Sequence, residues 1–389
     1  MKKKNSQNCC PKVVHIITRL DLGGAQKVCL LLFNGLLNDG KKAFLISGRE
    51  GGYVENVIGF ESVYLLRNLK HAIGLKSIWL DIKAFFNIIS LLRRLKKEHP
   101  DLIVHTHTPK AGILGRWAAF FAGVKKRVHT IHGLSFNDFQ IWPVRFLIKF
   151  VEFVTGFITS HFVCVSKADY QICLKFYPNF IQKSSVIYPA VDFLKFLPAK
   201  RCADFDGSNL KQKIVIGTVS CFKGLKNVDR LIEIFRKLKK DLGDKFDLAL
   251  EVVGDGLFRK RYEQLVFEGD MEDSIKLLGW RKDVDLLMGE WDVFAFTSLK
   301  EGLPCVLVEA RFVKLPVVAY EVGGISEIIN HNQNGFLVKI NDEDTFLKKL
   351  KLLIQDKELR KRLSLFNDDL SFFKDEYMYK KYFEIYSEI

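Results

Sequence analysis

The chain alternates short runs of β-branched and aliphatic residues with longer amphipathic segments, and this alternation begins again after a break near the middle. Such a pattern is typical of parallel sheets covered by helices, because parallel strands need long crossover connections. Strands are predicted at 13–18, 43–47, 102–105, 127–131 and 162–165, then at 214–220, 248–253, 275–278, 292–296, 316–320 and 336–338. The sequence therefore predicts an α/β protein with two Rossmann-like, doubly wound parallel sheets that face each other across a cleft.

The length and the break indicate two domains. A chain of 389 residues exceeds the ~250–300 residues over which one hydrophobic core usually grows. The stretch 189–212 carries Pro198 and Gly207 with little periodicity, so we place the domain boundary and a hinge there. We expect domains at 1–195 and 196–371, and an aromatic, helical segment at 372–389 that crosses back to the first domain.

The charge favours an anionic partner. A formal net charge of +15 suits phosphate groups, nucleic acid or a membrane surface. Nucleic acid is not expected, because the charge is dispersed and no zinc-finger, RNP or basic-zipper pattern is present. The helix predicted at 82–97 has apolar residues at 82, 85, 86, 89, 92 and 95. Packing of this stripe on its own sheet is favoured over docking on anionic lipid, and peripheral binding to the inner membrane face stays an alternative.

Neither a membrane span nor an export signal is predicted. The apolar stretch 144–165 is interrupted by Arg145, Lys149, Glu152 and His161, so it indicates a helix followed by a strand. Residues 1–10 are basic but lack the apolar core of a secretory signal, which predicts a cytoplasmic protein. The eight cysteines show no Cys-x-x-Cys spacing and are expected to be reduced and mostly buried.

The run 301–310 places two carboxylates, Glu301 and Glu309, on either side of a predicted helix start. Gly302 permits a sharp turn, and Pro304 fits the first helical position, where its missing N–H costs nothing. Glu309 then lies roughly 7.5 Å further along the axis at about 1.5 Å per residue, a separation comparable to that of the sugar and the ribose in one ligand. Because a helix start favours phosphate, the pattern predicts a nucleotide-sugar site.

Three strand-end loops are weaker candidates. Gly23 and Gly24 open the first helix and allow close approach of a ligand, although a tight turn without a ligand is an equal alternative. Gly254 and Asp255 end a later strand before another helix. Lys226 precedes the helix predicted at 228–240 and is placed to reach a phosphate, with a solvated lysine as the alternative.

Histidines cluster at the ends of two predicted strands, at His105, His107, His129 and His132. Parallel strand ends form the ligand crevice in open α/β sheets. Four imidazoles suit zinc, but no carboxylate or cysteine stands at a recognisable ligand spacing, so no metal site is expected. His132 is the favoured substrate contact, and His105 and His129 are interpreted as core residues.

Taken together, these residues resemble the retaining glycosyltransferases of family 4, whose GT-B architecture has two Rossmann-like domains. The resemblance covers nearly the whole chain and is most specific at 278–284, 292–298, 301–310, 316–319 and 322–324. It implies that domain 1–195 binds the acceptor and that domain 196–371 binds a nucleotide-sugar donor. It also implies that neither a metal ion nor another cofactor is required.

The resemblance further implies roles for individual residues. Glu301 would contact hydroxyls of the donor sugar, Lys226 would bind the diphosphate, and His132 would complete the catalytic set. Glu309 would hold the ribose. Further donor-binding residues would be Gly302, Leu303, Pro304, Cys305, Val306, Gly254, Asp255, Arg281 and Lys223, and the sugar and acceptor loops would contribute Gly23, Gly24 and His107.

One position departs from the family pattern. Where many members carry an arginine five residues before the lysine, this chain has Cys221. The diphosphate would then lack a guanidinium partner. We therefore expect Lys223, or the helix start before Val306, to carry more of the diphosphate charge.

The activity that the resemblance implies is transfer of a sugar, with retained anomeric configuration, from a UDP-linked donor. The acceptor would be a hydroxyl of a glycan or a polyprenyl-diphosphate-linked sugar in cell-surface polysaccharide synthesis. Two alternatives share the fold and the nucleotide contacts. One is a UDP-sugar epimerase, and the other is a non-catalytic nucleotide-sugar-binding protein.

Overall fold

The computed structural model describes residues 11–70, 75–196 and 211–389. They form two compact α/β units. The first comprises the described residues of Met1–Ala190 together with Asp375–Ile389, and the second comprises those of Val191–Lys374. The chain thus divides after Ala190 and after Lys374, where the sequence placed its boundaries after residues 195 and 371. Most of the predicted hinge, residues 197–210, lies outside the described residues.

The first unit contains a parallel sheet with helices between its strands. Its elements in chain order are β1 (Lys12–Ile16), α1 (Gly24–Asn38), β2 (Ala43–Gly48), β3 (Val63–Leu66), α2 (Leu75–Glu98), β4 (Leu102–His107), α3 (Pro109–Phe121), β5 (Lys126–Ile131), α4 (Trp142–Phe157), β6 (His161–Cys164), α5 (Lys167–Phe176) and β7 (Ser184–Val186). The sheet order is β3-β2-β1-β4-β5-β6-β7. Growth of the sheet changes direction between β1 and β4, the point at which open α/β sheets bind ligands.

The second unit repeats this plan with a smaller sheet. Its elements are β8 (Gln212–Val219), α6 (Val228–Leu242), β9 (Phe246–Val253), α7 (Arg259–Phe267), β10 (Ile275–Gly279), α8 (Val284–Glu290), β11 (Val293–Phe296), α9 (Cys305–Phe312), β12 (Val317–Tyr320), β13 (Gly335–Val338), α10 (Glu343–Gln355) and α11 (Lys357–Ser364). All strands are parallel, in the order β10-β9-β8-β11-β12-β13. The switch point therefore lies between β8 and β11. The two doubly wound parallel sheets predicted from the sequence are confirmed.

The last helix, α12 (Asp375–Glu388), belongs to the first unit and packs beside α1. Met378, Tyr382, Ile385 and Tyr386 join the core that α1 builds on one face of the sheet. Residues of α2 and α3 form the core on the opposite face. Both faces of the central strands are therefore covered, as continuous aliphatic strands require.

Helix α2 differs from its prediction in its apolar stripe. Ile82 and Phe86, expected to pack on the sheet, are exposed. The buried side follows Ala84, Ile88 and Leu92, which recur every four residues and so share one face of the helix. Ile89, Leu92 and Leu95 of the predicted stripe are buried as expected, so the prediction failed only towards the start of the helix, where the small Ala84 carried little weight in the apolar pattern. Among the described residues, no helix is long and apolar enough to cross a membrane.

Candidate functional site

The turn that carries Lys226 is held firmly at the switch point of the second unit. It spans Gly224–Lys226, directly after β8, and ends at Asn227, whose φ of 55° is left-handed. The Asn227 amide donates to the Thr297 carbonyl at 3.2 Å, and the Thr297 hydroxyl donates to the Asn227 carbonyl at 2.9 Å. The Leu299 N–H also donates to the Leu225 carbonyl at 2.9 Å. These bonds join the loop after β8 to the loop after β11.

Lys226 and Glu301 meet between these two loops. The Lys226 Nζ donates to the Glu301 Oε1 at 2.5 Å, and the Glu301 side chain is 9% exposed. Burial lowers the pKa of Lys226, but the charge of Glu301, the nearby Cys221 and the hydrogen bond raise it, and the net pKa lies above its usual value. The ammonium is therefore charged at neutral pH and stands where a diphosphate oxygen could replace or join the carboxylate.

The Glu301 backbone is fixed by the glycine pair that follows β12. Gly323 has a φ of 54°, and a Cβ there would lie 2.1 Å from the Glu301 carbonyl oxygen. The N–H of the next residue, Gly324, donates to the Gly302 carbonyl at 2.7 Å. Only glycine fits this close approach, because a side chain would collide with backbone. The pair therefore sets the path of the Glu301–Gly302 loop.

The predicted helix start between the two glutamates is present, with one correction. Pro304 is the N-cap residue, not the first helical residue, because its ψ of 106° is extended and α9 begins at Cys305. Gly302 and Leu303 are buried, whereas Cys305 and Val306 are half-buried. A helix start leaves backbone donors without intrahelical partners, which favours a phosphate. Glu309 lies one turn inside α9 and is buried.

The remaining donor-site candidates of the second unit lie in other loops, and their burial differs. Gly254 has a φ of 131°, and a Cβ there would lie 1.9 Å from the Ser220 carbonyl oxygen, so the loops after β8 and β9 pack closely. Asp255 accepts a hydrogen bond from the Gly256 N–H at 2.7 Å. Arg281 is exposed and pairs with Asp283, and Lys223 is exposed beside the Lys226 turn.

In the first unit, the glycine loop and the histidines follow strands on both sides of its switch point. Gly23 caps α1, with its carbonyl accepting from the Lys27 N–H at 3.0 Å, and Gly24 is exposed. His107 ends β4 and is fully buried, so it is not itself accessible to an acceptor. His132 follows β5 and is partly exposed. It lines a small cavity with Thr108, Gly133, Ser135, Glu152 and Tyr177.

The histidines form a connected cluster. His107 Nδ1 lies 3.2 Å from His132 Nε2, and His107 Nε2 lies 3.2 Å from Nδ1 of His15. Burial lowers the pKa of His15 and of His132 to about 3 each. Burial is also the main cause that lowers the pKa of His107 well below its usual value, with neighbouring imidazoles adding to the effect. These rings are therefore neutral at physiological pH.

His105 and His129 are core residues, as interpreted from the sequence. His105 is fully buried, with Nδ1 2.6 Å from the Tyr386 hydroxyl and Nε2 2.7 Å from the Thr130 hydroxyl. His129 Nδ1 lies 3.2 Å from the Thr106 carbonyl oxygen. A carbonyl only accepts, so the proton of neutral His129 is on Nδ1.

The ring nitrogens of His15, His105 and His107 lie within 4.8 Å of one another, close enough to consider a metal. Both His105 nitrogens already take part in hydrogen bonds to hydroxyl groups. A carboxylate or thiolate is not part of the group. A metal would have to break these bonds without a charged ligand in compensation, so the cluster fits a hydrogen-bonded network better.

Two features of this region were not predicted from the sequence. His15 was missed because it lies within β1, and only the strand register shows that it pairs with His105 on β4. Glu152 was interpreted only as an interruption of an apolar stretch. It is buried and accepts from Arg116 at 2.9 Å and from the Ser135 and Tyr177 hydroxyls at 3.2 Å each. This buried ion pair anchors α4 to α3.

Known proteins resemble the chain over both halves. Residues 22–193 match the family described as Glycosyltransferase Family 4, and residues 201–366 match Glycosyl transferases group 1. An Escherichia coli protein, UDP-Gal:alpha-D-GlcNAc-diphosphoundecaprenol alpha-1,3-galactosyltransferase, is 30% identical over 364 residues, which cover 90% of this chain and 89% of that protein. The Staphylococcus aureus capsular polysaccharide biosynthesis glycosyltransferase CapM is 25% identical over 310 residues, 76% of this chain and 78% of CapM.

Solved structures share the fold. The structure of HepE from Anabaena in complex with UDP has a TM-score of 0.74 at 21% identity, with coverage of 97% of this chain and 100% of HepE. Sucrose-phosphate synthase from Thermosynechococcus elongatus has a TM-score of 0.77 at 16% identity, with coverage of 97% and 98%. At these identities the similarity concerns the fold alone.

Proposed function

Because the chain belongs to the GT-B glycosyltransferases of family 4, we propose that it transfers a sugar from a UDP-linked donor to a hydroxyl of a polyprenyl-diphosphate-linked acceptor. The anomeric configuration of the sugar is retained. The observation that carries this proposal is the Lys226–Glu301 pair at the switch point of the second unit. A cation, a carboxylate and a helix start are the groups that a diphosphate linked to a sugar requires. The name of the E. coli relative gives UDP-Gal as its donor and a diphosphoundecaprenol-linked sugar as its acceptor, which supports the proposed donor and acceptor classes.

In the proposed reaction, the second unit binds the donor. Lys226 and the backbone donors at the start of α9 hold the diphosphate, Glu301 binds sugar hydroxyls, and Glu309 binds the ribose. As the bond between the anomeric carbon and the phosphate oxygen breaks, negative charge grows on UDP. The Lys226 ammonium stabilises that charge without reorganisation, because the turn carrying it is fixed by hydrogen bonds.

Retention without a covalent intermediate requires that the acceptor oxygen attack the face from which UDP leaves. The new bond joins the acceptor oxygen to the anomeric carbon, and the acceptor proton passes to the departing phosphate oxygen. No covalent intermediate on Glu301 is formed, and the cation at the diphosphate is Lys226, so the proposed reaction is independent of a metal ion. The first unit supplies the acceptor site and His132, whose accessible edge lines the cavity beside Thr108 and Ser135.

A lipid-linked acceptor requires contact with a membrane, and α4 has a suitable surface. We define the α4 face as the exposed apolar residues Trp142, Val144, Phe146, Leu147, Phe150, Phe153 and Phe157. Trp142 is 77% exposed and Phe146 is 64% exposed. The buried side of the same helix carries Glu152, Thr155 and Gly156. This arrangement reverses that of an ordinary surface helix, which buries its apolar side.

We propose that an anionic bilayer covers the α4 face. Aromatic and aliphatic side chains on one side of a helix are typical of helices that lie in the membrane interface. The charged residues of α4 outside the buried pair, Arg145 and Lys149, are both basic. A second copy of this basic chain, with its charge of +15, would repel the first, whereas anionic lipid would attract it. At about 1.5 Å per residue the 16-residue helix is too short to span the bilayer.

The proposal is tested by donor binding and turnover on the full chain. UDP-, GDP- and dTDP-sugars are compared by thermal stabilisation. A UDP-sugar at 100 times its dissociation constant should add about 2.7 kcal/mol to the free energy of unfolding. UDP release should then require a diphosphate-linked lipid acceptor. A changed sugar configuration in donor incubated alone would indicate the epimerase instead. If the donor stabilises the protein but no lipid-linked acceptor leads to UDP release, the protein is a non-catalytic binder.

A further inference from the structure

We propose that His107 and His15 are positioning residues that hold His132 in the tautomer with its proton on Nδ1. The proposal deepens the proposed function, because it assigns a chemical role to His132, which lines the cavity of the first unit. It rests on three rings in series. His15 lies on β1, His107 ends β4, and His132 follows β5, so the sheet itself sets their spacing.

The three rings form a chain with two nitrogen–nitrogen contacts. Nδ1 of His15 lies 3.2 Å from Nε2 of His107, and Nδ1 of His107 lies 3.2 Å from Nε2 of His132. Neutral imidazole has one N–H donor and one acceptor nitrogen. Each contact therefore needs one protonated and one unprotonated nitrogen, and the direction chosen at one contact fixes the direction at the other.

The end of the chain decides that direction. Nε2 of His15 is buried and has no hydrogen-bond partner among the residues that the structure describes. If His132 donated to His107 and His107 donated to His15, Nε2 of His15 would carry the proton. This N–H would then be buried without an acceptor. Orphaned buried N–H groups are rarer than under-used acceptors. The favoured direction places the His15 proton on Nδ1, so that His15 donates to His107 and His107 donates from its Nδ1 to His132.

His132 then accepts at Nε2 and carries its own proton on Nδ1. This nitrogen is the one left for a ligand. Its N–H donates to an oxygen, such as a sugar hydroxyl or a phosphate oxygen, and it cannot take a proton at that position. The assigned role is hydrogen-bond donation to a ligand in this cavity of the first unit, not general-base catalysis.

The neighbouring His105 takes no part in this series of hydrogen bonds. Its two nitrogens contact the Tyr386 and Thr130 hydroxyls at 2.6 and 2.7 Å, so it holds its own ring without a bond to His107. A metal bound by His15, His105 and His107 is the competing arrangement. It would take up one unprotonated nitrogen of each ring, so the His107 nitrogen that it bound could no longer share a hydrogen bond with a neighbouring histidine.

The test is nitrogen NMR on the full chain with ¹⁵N-labelled histidine, because the nitrogen shifts of a neutral ring report which nitrogen bears the proton. The His132 resonances are assigned by their loss in His132→Gln. We expect His132 to be protonated on Nδ1 in the wild type. Protonation on Nε2, or stoichiometric zinc retained by the purified protein, would overturn the proposal. Since no substrate is present, this result is independent of whether the proposed glycosyl transfer occurs.

Two substitutions at His107 separate positioning from packing. The amide nitrogen of His107→Asn lies near the position of Nδ1 and should keep the donor to His132, its tautomer and most of the turnover. His107→Leu removes the donor, and we expect mixed His132 tautomers and a kcat about tenfold lower with donor KM nearly unchanged. Equal loss of kcat in both variants, with the His132 tautomer unchanged, would contradict the positioning role. If His107→Leu does not fold, His15→Phe is measured instead, with the same expected loss of a single tautomer.

Discussion

The Nζ of Lys226 lies 2.5 Å from Oε1 of Glu301, and the two residues come from the loops after β8 and β11, the strands between which the sheet order reverses. Parallel strand ends diverge at such a point, so two loops can reach one ligand from opposite sides. The fold thus explains why residues 75 positions apart in sequence form one pair. The pair already places a cation where a diphosphate is expected.

Replacing Lys226 by methionine should reduce turnover strongly. The change keeps the length of the side chain but removes the cation that would stabilise the leaving UDP, and it leaves Glu301 buried without its partner. We expect kcat/KM to fall about 10²–10³-fold, the scale seen when one charge-stabilising donor is removed. Initial rates of UDP release with a lipid-linked acceptor measure this effect.

Lys260→Ala is the matched control for this substitution. Lys260 is an exposed lysine of the same unit on α7, and its loss should leave kcat/KM within about twofold, since exposed substitutions usually have small effects. A Lys226→Met enzyme that matches the control would contradict the role assigned to the ammonium.

Gly323→Ala should destabilise the Glu301 loop by more than the left-handed backbone strain at residue 323 alone would. The new Cβ would lie 2.1 Å from the Glu301 carbonyl oxygen, so the loop must move in addition to bearing the left-handed strain. We expect a loss of about 2–4 kcal/mol in the free energy of unfolding and weaker stabilisation by UDP-sugar. Urea denaturation and thermal shift measure the two effects.

Gly40→Ala supplies the comparison for Gly323. Gly40 has a similar φ of 68°, but nothing lies within 4 Å of its added Cβ. We expect about 1 kcal/mol of destabilisation from the backbone alone, with donor binding unchanged. Equal destabilisation by the two substitutions would show that the contact between Gly323 and Glu301 is not as close as the structure has it.

The α4 face should determine membrane binding. Phe146→Ser combined with Phe150→Ser changes two exposed residues and should have little effect on folding, while it removes apolar area from the lipid contact. We expect the wild type to float with vesicles that contain anionic lipid at low salt, and the double variant to lose most of this binding. Turnover on a water-soluble acceptor analogue should be unaffected by the change.

The matched control for α4 is Ile181→Ser combined with Leu257→Ser, which removes exposed apolar residues elsewhere. This variant should float like the wild type. Absence of vesicle binding by the wild type itself would end the membrane assignment. Concentration-dependent dimerisation that is lost in the α4 variant would show that a second copy covers the face.

Acid should weaken the first unit before the second. Burial lowers the pKa of His15 and His132 to about 3 in the folded chain, whereas an unfolded histidine has a pKa of about 6.5. Between these values the unfolded chain binds more protons, so stability is fully present above pH 6.5 and falls as pH decreases towards 3. Each such histidine contributes about 1.4 kcal/mol per pH unit.

Hydrogen exchange at pH 7.5 and pH 5.5, corrected for intrinsic rates, measures this difference within one sample. Amides of β4 and β5, which hold the buried histidines, should lose protection on acidification. Amides of β11 and β12 serve as the internal control, because the described part of the second unit has a single histidine, His331, on its surface. Equal loss of protection in the two sheets would contradict the assigned cause.

The fold was predictable because its signals are local. Aliphatic runs such as Val293–Phe296 and helix starts such as Val228 are set by neighbours in sequence, and their alternation implies parallel sheets. Glu301 and Lys226 were proposed as site residues because each lies in a loop that follows a strand, and Glu309 was proposed because it follows a predicted helix start. The apolar stripe of α2 was predicted correctly at Ile89, Leu92 and Leu95 but not at Ile82 and Phe86, because the small Ala84 marks the buried side there.

Contacts between distant elements could not be predicted. The approach of Gly323 to the Glu301 carbonyl and the pairing of His15 with His105 depend on strand register, which no single segment encodes. The same holds for Glu152, which the sequence showed only as an interruption of an apolar stretch but which lies buried against Arg116. The side of α4 that carries Glu152 is buried, and the apolar side of the helix is exposed.

The anomeric configuration of the product tests the central claim most directly. The full chain is incubated with an α-configured UDP-hexose and a diphosphate-linked lipid acceptor carrying one sugar, and the new linkage is assigned by NMR. We predict an α-linked product that forms in proportion to UDP release and is lost in Lys226→Met. A β-linked product, or hydrolysis of the donor without transfer, would contradict the account.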